Sequence, residues 1–194
     1  MEETPLIPQK IIIIGGSAGS LDVLLKVLPN LDPIDRLAIV IVLHRRSADD
    51  NILEELLRMK SGLRIKEIQD KTVLKPGRIH VAPPDYHLLF EKDYILSLDV
   101  SEKVNYSRPS IDVAFESVAD AFREKVVGIL LSGANADGTI GLKTIRRNGG
   151  YAIIQSPDTA DVPFMPAHAL KTFTPDAVMT PPEMVTFVNA IGRE

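Results

Sequence analysis

The sequence predicts a three-layer, doubly wound α/β domain with a mostly parallel sheet and an inserted antiparallel hairpin. Short apolar runs alternate along the chain with segments whose apolar residues recur at helical spacing, which is typical of strands connected by covering helices. The runs are almost entirely Ile, Val and Leu, and this composition indicates strands that are buried on both faces. The 194 residues, 45% hydrophobic and 25% charged, have the size and balance of one ordinary globular domain.

Five apolar runs are predicted as strands of the parallel sheet. They cover residues 11–14, 38–43, 78–82, 126–131 and 151–154. Residues 87–90 and 94–98, joined around Lys92 and Asp93, predict the antiparallel hairpin. Residues 155–166 are rich in Pro, Asp and Thr and are predicted to form a long ordered loop.

Five amphipathic segments are predicted as helices. Their apolar positions are Leu21, Leu24, Leu25 and Leu28; Ile52, Leu53 and Leu56; Ile111, Phe115, Val118 and Phe122; several within 139–147; and Met184, Phe187, Val188 and Ile191. Asp49 and Asp50 are candidate caps of the second helix. Thr180 and Glu183 form a capping-box pattern, with proline at the first helical position, before the last helix.

Composition excludes several classes of function. The chain has no cysteine, which rules out disulfides, thiolate nucleophiles and Cys-based metal sites. The net charge of -4 does not suggest a nucleic-acid partner, and no spacing of His, Asp and Glu is typical of a metal site, so no cofactor is expected.

The longest apolar run, residues 37–43, is far shorter than the roughly 20 residues that span a bilayer. No membrane insertion is expected, and an acidic N-terminus without a signal-peptide core predicts a cytoplasmic protein.

Polar residues at the carboxyl ends of the predicted strands are the first candidates for a functional site, because ligands of open α/β sheets bind there. Gly15-Gly16-Ser17-Ala18-Gly19 follows the first strand and matches the G-x-S-x-G pattern, in which a tight turn exposes a serine hydroxyl. His44 follows the second strand and is a candidate general base for Ser17.

An aspartate at a third strand end would orient this histidine and stabilise its cation. Asp137 ends the loop after residues 126–131, but Asp85 and Asp158 occupy comparable positions, and spacing leaves the choice open. The glycine-rich turn has a competing interpretation as a phosphate cradle of a nucleotide-binding protein. It lacks both the G-x-G-x-x-G spacing and a G-K-[ST] ending.

The sequence resembles the catalytic domain of the CheB family of chemotaxis protein-glutamate methylesterases, from about Ile11 to Leu170. The segments that carry the resemblance are IIIIGGSAGS, the strand ending in His44, LKPGRIHVAPPDYHLL, SRPSIDVAFESVA, LLSGANADGTIGL and FMPAHAL, in the family's order. The resemblance implies a serine hydrolase that removes methyl esters from glutamate side chains of chemoreceptors and releases methanol in chemotactic adaptation. It also implies that some members deamidate glutamine.

The resemblance assigns roles to particular residues. Ser17 corresponds to the nucleophile, His44 to the base and Asp137 to the acid of a Ser-His-Asp triad, while the backbone amide of Ala134 lies in the oxyanion site and Arg108 helps to hold the substrate. The implied partners are methyl-accepting chemoreceptors and a receptor methyltransferase. The expected unit is a single catalytic domain over residues 1–194 without the receiver domain of two-domain members.

The chain departs from the family pattern at four positions. Ala18 and Ser20 replace the usual Thr and Gly around the serine, and Ala134 and Asn135 replace Met and Gly before the acid. Asn135 is expected to keep the turn because asparagine tolerates positive φ. These changes motivate an alternative function, a catalytically weak or silent domain that binds receptors or a methyltransferase.

Two arginines after His44 have two interpretations. Arg45 and Arg46 are either a solvated pair or a contact with the acidic helices of a receptor.

Overall fold

The computed structural model describes residues 7–45 and 52–194, in which apolar strands alternate with amphipathic helices. The strands of these ranges are β1 (Lys10–Gly16), β2 (Leu37–Leu43), β3 (Ile65–Glu67), β4 (Thr72–Val73), β5 (Arg78–Val81), β6 (His87–Phe90), β7 (Ile95–Asp99), β8 (Val126–Leu130), β9 (Tyr151–Gln155) and β10 (Ala177–Met179). The α-helices are α1 (Ser20–Val27), α2 (Ile52–Ser61), α3 (Ile111–Phe122), α4 (Thr139–Arg147), α5 (Phe164–Thr172) and α6 (Pro181–Arg193).

Seven strands form a central sheet in the order β10-β9-β8-β1-β2-β5-β3, and every neighbouring pair is parallel. A separate antiparallel sheet has the order β4-β7-β6. The predicted doubly wound α/β fold and the inserted hairpin are therefore confirmed, with β4 as a third strand beside the hairpin.

The alternation of side chains along β1 explains the three layers. Ile11 and Ile13 belong to the core under α3, α4, α5 and the antiparallel sheet, whereas Ile12 and Ile14 belong to the core under α1, α2 and α6. All four side chains are at most 4% exposed. A strand buried on both faces requires an unbroken apolar run, and this is why the strand predictions agree with the structure.

The starts of α3 and α6 follow from local capping chemistry. The hydroxyl of Ser110 accepts a hydrogen bond from Val113 N and caps α3. At α6, the Glu183 carboxylate accepts from Thr180 N at 2.7 Å, which confirms the predicted capping box. The candidate caps Asp49 and Asp50 lie outside the described residues.

The prediction of a loop over residues 155–166 is wrong at its end, because α5 already begins at Phe164. Pro166 lies in the first turn of α5, where a proline is tolerated because its missing N–H would have no helical partner. Sequence patterns did not indicate α5, β3, β4 or β10, which are short or weakly amphipathic.

Gly15 lets β1 and α3 approach closely. A Cβ on this residue would overlap Cγ2 of Ile111 and lie 3.0 Å from the ring of Phe115, and both side chains are fully buried. The absence of a side chain here therefore sets the distance between the serine-bearing strand and the N-terminus of α3.

We expect Gly15→Ala to lower the free energy of unfolding by about 1–3 kcal/mol, because the added methyl group overpacks a dense core. Urea unfolding measures the change. Gly192→Ala is the control, since a Cβ there meets only the flexible Leu37 side chain, at 3.3 Å, and alanine favours the helix. A Gly15→Ala protein as stable as Gly192→Ala would contradict the expected overpacking.

Candidate active site

Ser17 and His44 lie side by side at the carboxyl edge of the sheet. Gly16 pairs with Leu43 in the parallel register of β1 and β2, so the next residue of each strand leaves the sheet at the same place. The His44 N–H donates to the Gly16 carbonyl at 3.1 Å. Both residues line one cavity of about 270 Å³.

The turn that carries Ser17 is fixed by backbone hydrogen bonds. Ser17 N donates to the Ser132 carbonyl at 2.9 Å, and Ser20 N donates to the Ser17 carbonyl at 3.1 Å. Gly19 has φ 81°, and a Cβ at this position would also meet Ser132 and Asp161. Only glycine fits here, and the turn leaves the Ser17 side chain half-buried at the cavity.

The imidazole of His44 is bound to Asp137. Nε2 lies 2.7 Å from Oδ2 of Asp137, and the side chains are 12% and 0% exposed. The histidine therefore uses Nε2 toward the carboxylate, in contrast to the serine-protease arrangement, in which Nδ1 has this role. Nδ1 of His44 is left as the nitrogen that can accept a proton.

The Asp137 carboxylate lies at the N-terminus of α3 in space, although in sequence Asp137 comes just before α4. Besides His44, it accepts hydrogen bonds from Ile111 N at 2.6 Å, Asp112 N at 3.1 Å, Ser110 Oγ at 3.0 Å and Asn105 Nδ2 at 2.8 Å. The partial positive charge of a helix N-terminus stabilises such an anion.

Opposing effects set the pKa of Asp137. Burial on its own would raise the pKa, but the hydrogen bonds from His44, Asn105 and the amides of Ile111 and Asp112 hold it below the ordinary value. Asp137 is therefore a buried, ionised carboxylate at neutral pH.

A second buried carboxylate, Asp112, lies close to Asp137. It accepts from Gly141 N at 2.7 Å and from Asn105 Nδ2 at 2.8 Å. Burial, and then the neighbouring Asp137 charge, raise the pKa of Asp112 to about 6 against the lowering effect of these donors. The two carboxyl groups thus titrate in different pH ranges.

The other two candidate acids lie elsewhere. Asp85 is an exposed residue whose N–H donates to the Arg108 carbonyl, and Asp158 is exposed in the turn Pro157–Thr159. His44 has its hydrogen bond to Asp137 instead.

Neither Arg108 nor Ala134 is among the residues that line the cavity of Ser17 and His44. Nη1 of Arg108 donates to the carbonyls of Val100 and Ser101 at 3.1 and 2.8 Å. Ala134 is exposed on the loop that leads to Asp137. Asn135 was expected to keep the turn through its tolerance of positive φ, but it is not among the residues with positive φ; its side-chain oxygen accepts from Asp137 N at 3.0 Å and shapes the loop in that way.

Half of the residues that line the cavity are apolar. They are Leu21 of α1, Leu43 of β2 and three residues of α2, which are Ile52, Leu53 and Leu56. Such a wall suits an uncharged ligand better than an ionised one.

Arg45 also lines this cavity, but it is neither solvated nor free. Its guanidinium is 7% exposed and donates to Glu54 at 2.7 Å and to Glu67 at 2.6 Å. The interpretation of Arg45 as a solvated residue is therefore wrong, because the side chain connects the loop after β2 to α2 and β3. The contact with acidic receptor helices stays a prediction. Arg46 lies outside the described residues.

Sequence patterns did not identify the surroundings of Asp137. Asn105 lies outside the segments that carry the family resemblance, and Asp112 lies within one of them without an assigned role. Their contacts with Asp137 and with each other depend on the packing of α3 against the loop before α4. Ser110 was recognisable as a helix start after Pro109, but not as a donor to another loop.

Helix α3 and the loops after β1, β2 and β8 thus bring together a serine on a glycine-rich turn and a histidine–aspartate pair, on a parallel sheet. This is the arrangement of an α/β serine hydrolase. None of the helices in residues 7–45 and 52–194 is long and apolar enough to cross a membrane.

Comparisons with known proteins define the family. A sequence model described as CheB methylesterase matches residues 12–188. A relative from Leptospira interrogans is 42% identical over 169 residues, which are 87% of this chain and 88% of the relative. The crystal structure of the Thermotoga maritima CheB methylesterase catalytic domain superposes with a TM-score of 0.90 at 29% identity, and covers 95% of this chain and 100% of that one.

The chain belongs to the CheB methylesterase family. It is 31% identical to proteins named protein-glutamate methylesterase/protein-glutamine glutaminase from Methanococcus maripaludis and from Thermotoga maritima. The matches cover 96% and 90% of this chain but only 54% and 52% of those two proteins. The chain thus spans about half the length of these relatives.

The raised pKa of Asp112 predicts a distinct pH dependence of stability. The unfolded state loses the Asp112 proton near the ordinary value of 3.8, and the folded state loses it only near about 6. Stability from this group is therefore complete below 3.8 and falls as the pH rises to about 6, by roughly 2–3 kcal/mol at 1.36 kcal/mol per pKa unit.

We expect Asp112→Asn to remove this fall, as measured by urea unfolding between pH 4 and 8. Asp120→Asn, at an exposed position of the same helix, makes the same charge change and serves as the control. Asp137 contributes with the opposite sign and at lower pH, so the part of the difference that develops as the pH approaches about 6 is assigned to Asp112. Parallel stability curves for wild type and Asp112→Asn would contradict the assignment.

Proposed function

We propose that this chain is a protein-glutamate methylesterase that uses Ser17 as nucleophile, His44 as general base and Asp137 as the acid of a triad. The observation that carries the proposal is the 2.7 Å contact between His44 and a buried, ionised Asp137, at the wall of the cavity that Ser17 also lines. A serine is a weak nucleophile at neutral pH, and an adjacent oriented base is what activates it.

In the proposed reaction, the Ser17 hydroxyl attacks the carbonyl carbon of a glutamate methyl ester while Nδ1 of His44 takes its proton. Asp137 keeps the Nε2 proton in place and stabilises the imidazolium that forms. Collapse of the tetrahedral intermediate expels methanol, which receives the proton from His44. A water molecule activated by His44 then hydrolyses the acyl-enzyme and regenerates Ser17. The sum is ester plus water giving carboxylic acid, which ionises, plus methanol.

The oxyanion of the tetrahedral intermediate needs donors that are aimed at it. We assign this role to the backbone N–H of Ala134, which a change of side chain from Met to Ala leaves in place. Ala134 is exposed and follows Ser132 by two residues, and the Ser132 carbonyl accepts from Ser17 N; this connection between the two loops supports the assignment.

We further propose chemoreceptor glutamates as the substrates, and glutamine side chains as second substrates with ammonia as the leaving group. The names of the relatives support both activities. The apolar walls around Ser17 favour the neutral ester over the carboxylate product, which aids product release. The proposed unit is a single catalytic domain over residues 1–194, acting in the cytoplasm.

We expect Ser17→Ala to lower methanol release from methyl-labelled receptors by about 10⁴-fold or more, since it removes the nucleophile. Ser61→Ala, at the end of α2, is the control and retains full activity. The alternative of a silent binding domain predicts no methanol release by the wild type. Release that is the same in wild type and Ser17→Ala would exclude Ser17 as the nucleophile.

Arg108 remains a proposed substrate-binding residue. Its Nη1 is held by two carbonyls, so the guanidinium is pre-oriented, and Nη2 is left for a substrate oxygen. We expect Arg108→Ala to raise KM for receptors by about tenfold, the cost of one charge-assisted hydrogen bond. Hydrolysis of a small aryl ester should keep its kcat. Arg36→Ala, exposed at the opposite end of β2, is the control. An unchanged KM for receptors would remove Arg108 from the binding site.

A further inference from the structure

We propose that Asn105 is a positioning residue of the active site, whose side-chain amide holds the Asp137 carboxylate toward His44 and separates it from the second buried carboxylate, Asp112. The inference rests on the proposed function, because it assigns Asn105 a part in that same triad.

The geometry of the amide carries the proposal. Nδ2 of Asn105 has two hydrogens, and it lies 2.8 Å from Oδ2 of Asp112 and 2.8 Å from Oδ1 of Asp137. One amide group thus satisfies two acid side chains at once. Because Oδ1 of Asp137 is occupied by Asn105, Ser110 and Asp112 N, Oδ2 is directed to His44.

The backbone around Asn105 delivers the amide to this position. Val104 and Ser107 exchange two backbone hydrogen bonds, and the central residues Asn105 and Tyr106 have φ 52° and 63°. Positive φ at both central positions is the pattern of a type I′ turn, in which asparagine is favoured at the first one. Tyr106 is 98% exposed, and it holds an unfavourable conformation for a bulky residue without contributing buried contacts.

The charges around the amide explain why a neutral donor is needed. The titratable groups that face the two carboxyls are His44 and Glu116, and Glu116 adds a further negative charge next to Asp112. A donor shared between the two carboxylates lowers the pKa of both and keeps Asp137 ionised. Without it, the pKa of both carboxyl groups rises, and Oδ1 of Asp137 loses one of the donors that leave Oδ2 directed to His44.

Asn105→Gly is the cleanest test, since glycine keeps the positive φ and removes only the amide. We expect kcat for a small aryl ester to fall by about tenfold or more with little change in KM, because a hydrogen bond to a charged group is lost. The acidic limb of the pH–rate profile should move to higher pH, because the pKa of Asp137 rises when this donor is lost. In carboxyl ¹³C NMR titrations, the pKa of Asp112 should rise above its wild-type value.

Two matched variants separate the amide from the turn. Tyr106→Gly relaxes the same turn at its exposed position and should keep wild-type kcat and pH profile. Asn105→Asp keeps the size and the turn preference but turns the donor into an acceptor, and should lose at least as much activity as Asn105→Gly at pH 8.

The proposal is overturned if Asn105→Gly keeps the wild-type kcat and pH profile, if Asn105→Asp is fully active, or if Tyr106→Gly loses as much activity as Asn105→Gly. Ser17→Ala distinguishes this failure from that of the proposed function. If Ser17→Ala is inactive and Asn105→Gly is normal, only the role of Asn105 fails. If the wild type itself is inactive, the proposed function fails, and the NMR titration still decides whether the amide holds both carboxyl groups.

Discussion

The active-site edge of this protein depends on the placement of one anion, the Asp137 carboxylate, at the N-terminus of helix α3. This group is completely buried and accepts hydrogen bonds from two backbone amides, two neutral side chains and His44. A buried carboxylate without such partners would take up a proton. With them, it becomes a fixed negative charge that connects the loop after β8, the start of α3 and the histidine after β2.

The hydrogen bonds from α3 to Asp137 also require close packing around this carboxylate. Gly15 in β1 and Gly138 after Asp137 would both overlap Ile111 if they carried a Cβ. Gly141 would meet Phe115 and the backbone of Asp112. Three glycines therefore allow α3 to approach the central strand and α4 closely enough for its first amides to reach Asp137. Packing density and electrostatics are coupled here, since an added methyl group would both strain the core and move donors away from the carboxylate.

The fold was largely predictable because the central residues of β1, β2, β8 and β9 are buried on both faces and form unbroken apolar runs, with polar residues only at strand ends such as Lys10 and Gln155. The short strand β10 and the weakly amphipathic α5 have no comparable run or spacing of apolar residues in the sequence. They depend on contacts with neighbouring elements, which the local sequence does not show. At the site, Ser17 and His44 were recognisable because each directly follows a strand. Strand position alone did not separate Asp137 from Asp85 and Asp158. That choice depends on contacts with α3, which are long-range in sequence and leave no local spacing to detect.

The departures from the family pattern have physical counterparts that leave this arrangement intact. Ser20 is buried, and its hydroxyl donates to the Ser17 carbonyl, so it adds a hydrogen bond to the turn where the family has glycine. Ala18 and Ala134 are exposed, and neither side chain contributes to the contacts of Asp137. Asn135 replaces glycine without needing positive φ, because its side chain accepts from Asp137 N. Ala18 and Ala134 thus fall on exposed positions, whereas Ser20 and Asn135 add hydrogen bonds within their own loops. None of the four side chains takes part in the contacts of the buried Asp137 carboxylate, and the groups that hold this anion are therefore unaffected by the changes.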